Sequence, residues 1–141
     1  MPRVVILLVL IVAIAFIARA RRRPNPNVIA DVKGGIGSLE GDQQVLAQMR
    51  KAGADLSKAT EVNFYLYFKE RLAADSAAAH ASSGPLTATV RRGADGSSWL
   101  CLVTGQMVPD ESTIHSTALR LLDLAKQYGG DYDGWEAAIA K

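Results

Sequence analysis

The chain has one cysteine, Cys101, among its 141 residues. No internal disulfide can form, so any fold must stand on its own core. Cys101 lies within Trp99-Leu100-Cys101-Leu102-Val103, where a thiol serves as a small buried hydrophobe. Histidine is equally scarce. His80 and His115 have no His or Cys neighbour at metal-ligand spacing, so no zinc site is expected. Acids are missing from the first 23 residues, which carry Arg3, Arg19, Arg21, Arg22 and Arg23.

Signatures of chemistry are lacking too. Gly34-Gly35-Ile36-Gly37-Ser38 is glycine-rich, but no strand pattern precedes it and no Gly-Lys-Ser/Thr follows, which excludes a phosphate loop. Ser82, Ser83, Ser97 and Ser98 fall in turn-forming stretches, where hydroxyls bond local backbone, and none sits in a nucleophile elbow. In Asp131-Tyr132-Asp133-Gly134-Trp135-Glu136 the glycine is fourth, whereas an EF-hand loop needs it sixth. Asp110 and Glu111 are adjacent, so on a helix they diverge instead of forming an acid/base pair. No enzyme, metal or cofactor is expected.

Charge is unevenly divided. From Pro24 onward, eleven Lys and Arg face fourteen Asp and Glu, a net charge of −3 against +2 for the whole chain. The body is mildly acidic and offers duplex nucleic acid no long-range attraction. Direct nucleic-acid binding is not expected.

The one long apolar run is Val4 to Ala18. As a helix it measures about 22 Å, and extension over residues 1–20 brings it to about 30 Å, the thickness of a hydrocarbon core. Arg3 and Arg19 can snorkel to the two interfaces. The arginines follow the apolar run instead of preceding it, unlike a cleaved signal peptide, and positive charge stays on the inner side. The expectation is a single-pass inner-membrane anchor over residues 1–23, with the rest cytoplasmic. Pro24-Asn25-Pro26-Asn27 ends it, and residues 24–40 read as a flexible linker.

Residues 41–141 then read as one α+β domain. Val45, Leu46, Met49 and Ala52 share a helical face, with Asp42 as N-cap and Gly53 as the C′ residue. Val62, Phe64, Leu66 and Phe68 alternate with Asn63, Tyr65 and Tyr67 in a strand. Lys69 to Ser82 is an alanine-rich helix. Leu86 to Arg91 and Trp99 to Met107 form a hairpin across Gly93-Ala94-Asp95-Gly96. A helix follows, with Pro109 in its first turn, a stripe of Ile114, Ala118, Leu121, Leu122 and Ala125, and a stop at Gly129-Gly130. Asp131 to Ile139 is either a short edge strand or an irregular tail. The order predicts a ferredoxin-like sandwich, β-α-β-β-α-β, with an extra N-terminal helix. Its helices would cover the Phe64 side, leaving Tyr65, Tyr67, Thr87, Thr89 and Arg91 on an open face.

Five stretches occur in order: Gly41-Asp42-Gln43-Gln44-Val45-Leu46, Asp55-Leu56-Ser57-Lys58, Phe64-Tyr65-Leu66-Tyr67-Phe68, Met107-Val108-Pro109-Asp110-Glu111, and Gly129-Gly130-Asp131-Tyr132-Asp133-Gly134-Trp135-Glu136. Together they resemble the regulator of ribonuclease E activity type B family over Gly41 to Ile139. Tyr132-Asp133-Gly134-Trp135 is the most specific element. The resemblance implies a bacterial, cytoplasmic, non-catalytic protein that binds ribonuclease E or another degradosome component and alters which transcripts are degraded. The sequence departs from the best-known member in its apolar N-terminal run and in lacking a strongly acidic C-terminal tail. Tyr65, Tyr67, Arg91, Tyr132, Asp133, Gly134 and Trp135 are the candidate partner-binding or motif residues, the last four serving either core closure or contact with a partner. A small-ligand sensor or a self-associating module using the open face is the alternative.

Overall fold

The computed structural model describes residues 38–140. Three helices and four strands follow one another as α1 (Leu39–Lys51), β1 (Thr60–Phe68), α2 (Arg71–Ala81), β2 (Leu86–Arg92), β3 (Trp99–Met107), α3 (Glu111–Gln127) and β4 (Asp131–Ala137). The strands form one antiparallel sheet in the order β2-β3-β1-β4. After α1 the order is the β-α-β-β-α-β expected, and Asp131 onward is a strand, at the sheet edge.

Alternation decides which face is covered. Val62, Phe64, Leu66 and Phe68 on β1 are at most 2% exposed and join Val103, Ala74, Ala77, Ala118 and Leu121 in one core. Burying each of these larger side chains contributes about 1.5–3 kcal/mol. Small alanines on α2 and α3 let the helices approach the sheet closely. Cys101 is in this core, and burial pushes its thiol up to about 11, leaving it unreactive at neutral pH.

Several boundaries differ from the sequence reading. Helix α1 starts at Leu39, because Ser38 is the N-cap and its hydroxyl accepts from the Gly41 amide at 3.0 Å. Asp42 is therefore not the cap, and the linker gives way to helix before residue 41. Pro109 precedes the first turn of α3 and is buried. Asp110 caps that helix, accepting from the Thr113 hydroxyl at 2.6 Å and from the Thr113 amide at 2.9 Å, which together hold its carboxyl below the usual range. Gly53 adopts the positive φ of 87° expected of a C′ glycine. The Ser82 hydroxyl bonds backbone as anticipated, accepting from the Ala88 amide, whereas the Ser97 hydroxyl donates to the Asp95 carboxylate.

Among the described residues no helix is long and apolar enough to cross a membrane. The anchor expected over residues 1–23 and most of the 24–40 linker lie outside the described residues.

Candidate functional site

The two tyrosines and Arg91 share the sheet face opposite the described helices. One row runs Arg91, Leu100, Tyr67, Asp131 across β2, β3, β1 and β4; another runs Thr89, Leu102, Tyr65. The Tyr65 hydroxyl donates to Glu136 Oε1 at 2.5 Å, and the Thr104 hydroxyl donates to Asn63 Oδ1 at 2.7 Å. Half-burial, then the bond to Glu136, raises the Tyr65 phenol far above its ordinary value. Tyr67 is raised by burial and by the negative charges of Asp133 and Asp95, partly offset by Arg91. Tyr65, Tyr67 and Arg91 thus stand together as the sequence placed them, with cation on the β2 side and acids toward β4.

The Tyr132-Asp133-Gly134-Trp135 element behaves differently. In a regular strand, residues three apart point to opposite faces. Here the register slips between Phe64, which pairs with Trp135, and Leu66, which pairs with Tyr132. Asp133 and Gly134 together oppose Tyr65, a β-bulge made possible by the positive φ of 100° at Gly134. The extra residue turns both aromatic side chains toward the core, where Tyr132 is 7% and Trp135 3% exposed.

What waits there is a carboxylate. Asp42 is only 3% exposed. Its Oδ1 accepts from Trp135 Nε1 at 2.9 Å, and its Oδ2 lies 2.8 Å from Nδ1 of the partly exposed His115. One side chain on α1 thereby ties α3 to β4. A Gln43 Nε2 bond to Glu111 Oε2 at 3.2 Å adds a second, exposed link between α1 and α3. The Tyr132 hydroxyl is buried with no hydrogen-bond partner among the described residues, and burial, with Asp42 and Asp133 nearby, raises its pKa strongly.

Sequence reasoning missed Asp42 and His115 as members of this cluster. The signal was present: Asp42 stands i, i+3, i+4 and i+7 from Val45, Leu46 and Met49, on the buried stripe itself. A carboxylate on a buried stripe needs donors, and Trp135 and His115 supply them. The cluster brings together the first and last stretches of the motif set, 93 residues apart.

The family model for the regulator of ribonuclease activity B matches residues 39–137, from the first residue of α1 to the last of β4. The chain belongs to that family. It is a family of regulators of ribonuclease activity, and the expected resemblance holds over the whole described fold. A comparison with curated proteins gives no match. Among the described residues no group of three His, Cys, Asp or Glu is placed to hold a metal ion.

Proposed function

We propose that this chain is a non-catalytic, protein-binding regulator of a ribonuclease, with ribonuclease E or its degradosome as the partner and the membrane as the place of work. The observation that carries this is the family match over residues 39–137. The strand order β2-β3-β1-β4 with split β-α-β halves supports a ferredoxin-like sandwich as the scaffold. In the motif, Tyr132 and Trp135 close the core around Asp42, and the surface that meets a partner is Tyr65, Tyr67 and Arg91 on the opposite sheet face with Asp133 in the bulge.

The apolar run Val4 to Ala18, followed by Arg19 and Arg21 to Arg23, supports a single span with the domain on the cytoplasmic side. Tethering raises the local concentration of the domain near any membrane-bound target without new contacts. Affinity capture on the full chain from solubilised membranes tests the reading. Recovery of ribonuclease E, and its direct binding when purified, is expected. Recovery of neither the nuclease nor any degradosome component removes the partner assignment. A reporter fused after Lys141 that is active only in the periplasm removes the cytoplasmic placement.

A further inference from the structure

The two edges of the sheet are not equivalent. On the β2 edge, the Leu86 amide donates to the Ser83 carbonyl at 3.0 Å and the Ala88 amide donates to Ser82 Oγ at 3.1 Å. These local bonds occupy two of the outward N–H groups of β2, those of its N-terminal half, a familiar guard against edge pairing. Among the described residues the β4 edge has no such guard. The Ala138 amide donates inward to the Glu61 carbonyl at 3.0 Å. By antiparallel alternation, residues 136 and 138 bond to β1, and the main-chain N–H and C=O of Trp135 and Ala137 point away from the sheet. Glu136, Ala137 and Ala138 are each partly exposed, while the Trp135 side chain is buried.

The same edge is acidic. Asp131, Asp133 and Glu136 lie on β4, with Glu61 exposed on the neighbouring strand. A second copy of β4 laid against it would set these acids against each other, which costs stability in a cross-strand pair. An extended segment bearing arginine or lysine would gain from the same charges.

We propose that the Trp135–Ala138 edge of β4 is a strand-addition site for a short, extended, basic segment of a protein partner. This rests on the protein-binding reading above and names its surface. Main-chain bonds to Trp135 and Ala137 supply the pairing, and Glu136 with Asp131 and Asp133 selects basic side chains. The bulge at Asp133–Gly134 ends the regular stretch, so the added strand is short and the contact reversible.

Hydrogen–deuterium exchange on the full chain tests this with a synthetic peptide alternating arginine and valine. Exchange at Trp135 and Ala137 is expected to slow by about tenfold or more at saturation. A peptide of the same sequence with every backbone nitrogen methylated, which keeps every charge but offers no N–H to the ladder on either edge, should give no protection. Equal protection by both peptides, protection confined to other strands, or none at all overturns the proposal. Ala137→Pro removes one outward donor while sparing the bonds to β1, and should abolish the protection. If ribonuclease E binds the full chain and Ala137→Pro leaves that binding unchanged, this edge is not the regulator's surface although the regulatory reading stands. Peptide protection without nuclease binding keeps the edge and discards the partner.

Discussion

Replacing Asp42 by alanine leaves two donors, Trp135 Nε1 and His115 Nδ1, facing a void where a carboxylate accepted both. The indole N–H is the costlier loss, because Trp135 is 3% exposed and water reaches it poorly. A buried donor left unmade costs about 1–3 kcal/mol, and hydrogen bonds to a charged group are worth about 1.5–3 kcal/mol each. His115, partly exposed, recovers part of its share from solvent. The charge itself was expensive to bury, and removing it returns some of that cost. The balance is a destabilisation of about 3 kcal/mol, or roughly 12–24 °C in Tm for a domain near 100 residues. Thermal unfolding of wild type and variant at neutral pH, followed by circular dichroism, measures it. A double-mutant cycle with Trp135→Phe isolates the pair and should give a coupling of about 1–2 kcal/mol. A Tm within about 2 °C of wild type, or a coupling indistinguishable from zero, refutes the view that Asp42 ties α1, α3 and β4 together.

Tyr132→Phe removes a buried hydroxyl that has no partner among the described residues, so chemical denaturation should find the variant unchanged or more stable by up to about 1 kcal/mol; a comparable loss would mean that the hydroxyl is satisfied in solution. Gly130→Ala sets a methyl group against the Phe68 ring and 2.5 Å from the Tyr67 carbonyl oxygen, and overpacking of this kind should cost about 1–3 kcal/mol in the same assay. Alkaline pH gives a signed test through Tyr65, Tyr67 and Tyr132, whose folded pKa values all lie above the usual 10. Above pH 10 the unfolded chain releases protons that the folded one keeps, so stability present below that pH is lost as it rises. Tyrosinate absorbance should therefore develop mainly with unfolding. Ionisation of these three phenols near pH 10 in a still-folded chain would contradict their burial.

Where one face of an element is buried, the sequence states it openly. The Val62-Phe64-Leu66-Phe68 alternation placed β1 and its inward side, and the stripe from Ile114 to Ala125 placed α3, because period and burial have one cause. The tyrosine and arginine face followed from the same parity. The motif at Tyr132 was harder, since simple alternation would send Tyr132 and Trp135 to opposite faces. Only the slip at Asp133–Gly134 brings both inward, and such a slip is set by pairing with β1, a strand some seventy residues earlier. Asp42 was misjudged for a related reason. Its type suits an N-cap as well as a buried acceptor, and the donors that decide between them lie on α3 and β4. Local pattern carries local structure, while a buried polar group is explained by distant partners.

The central claim is that this domain regulates a ribonuclease by binding it, without chemistry of its own. The most direct measurement is the cleavage rate of a single-stranded RNA by purified ribonuclease E as full-length chain is added in detergent. The account predicts that the rate changes and then saturates with added chain, and that the chain alone leaves the RNA intact. A cleavage rate unaltered at saturating chain, or RNA consumed by the chain in the absence of nuclease, would contradict it.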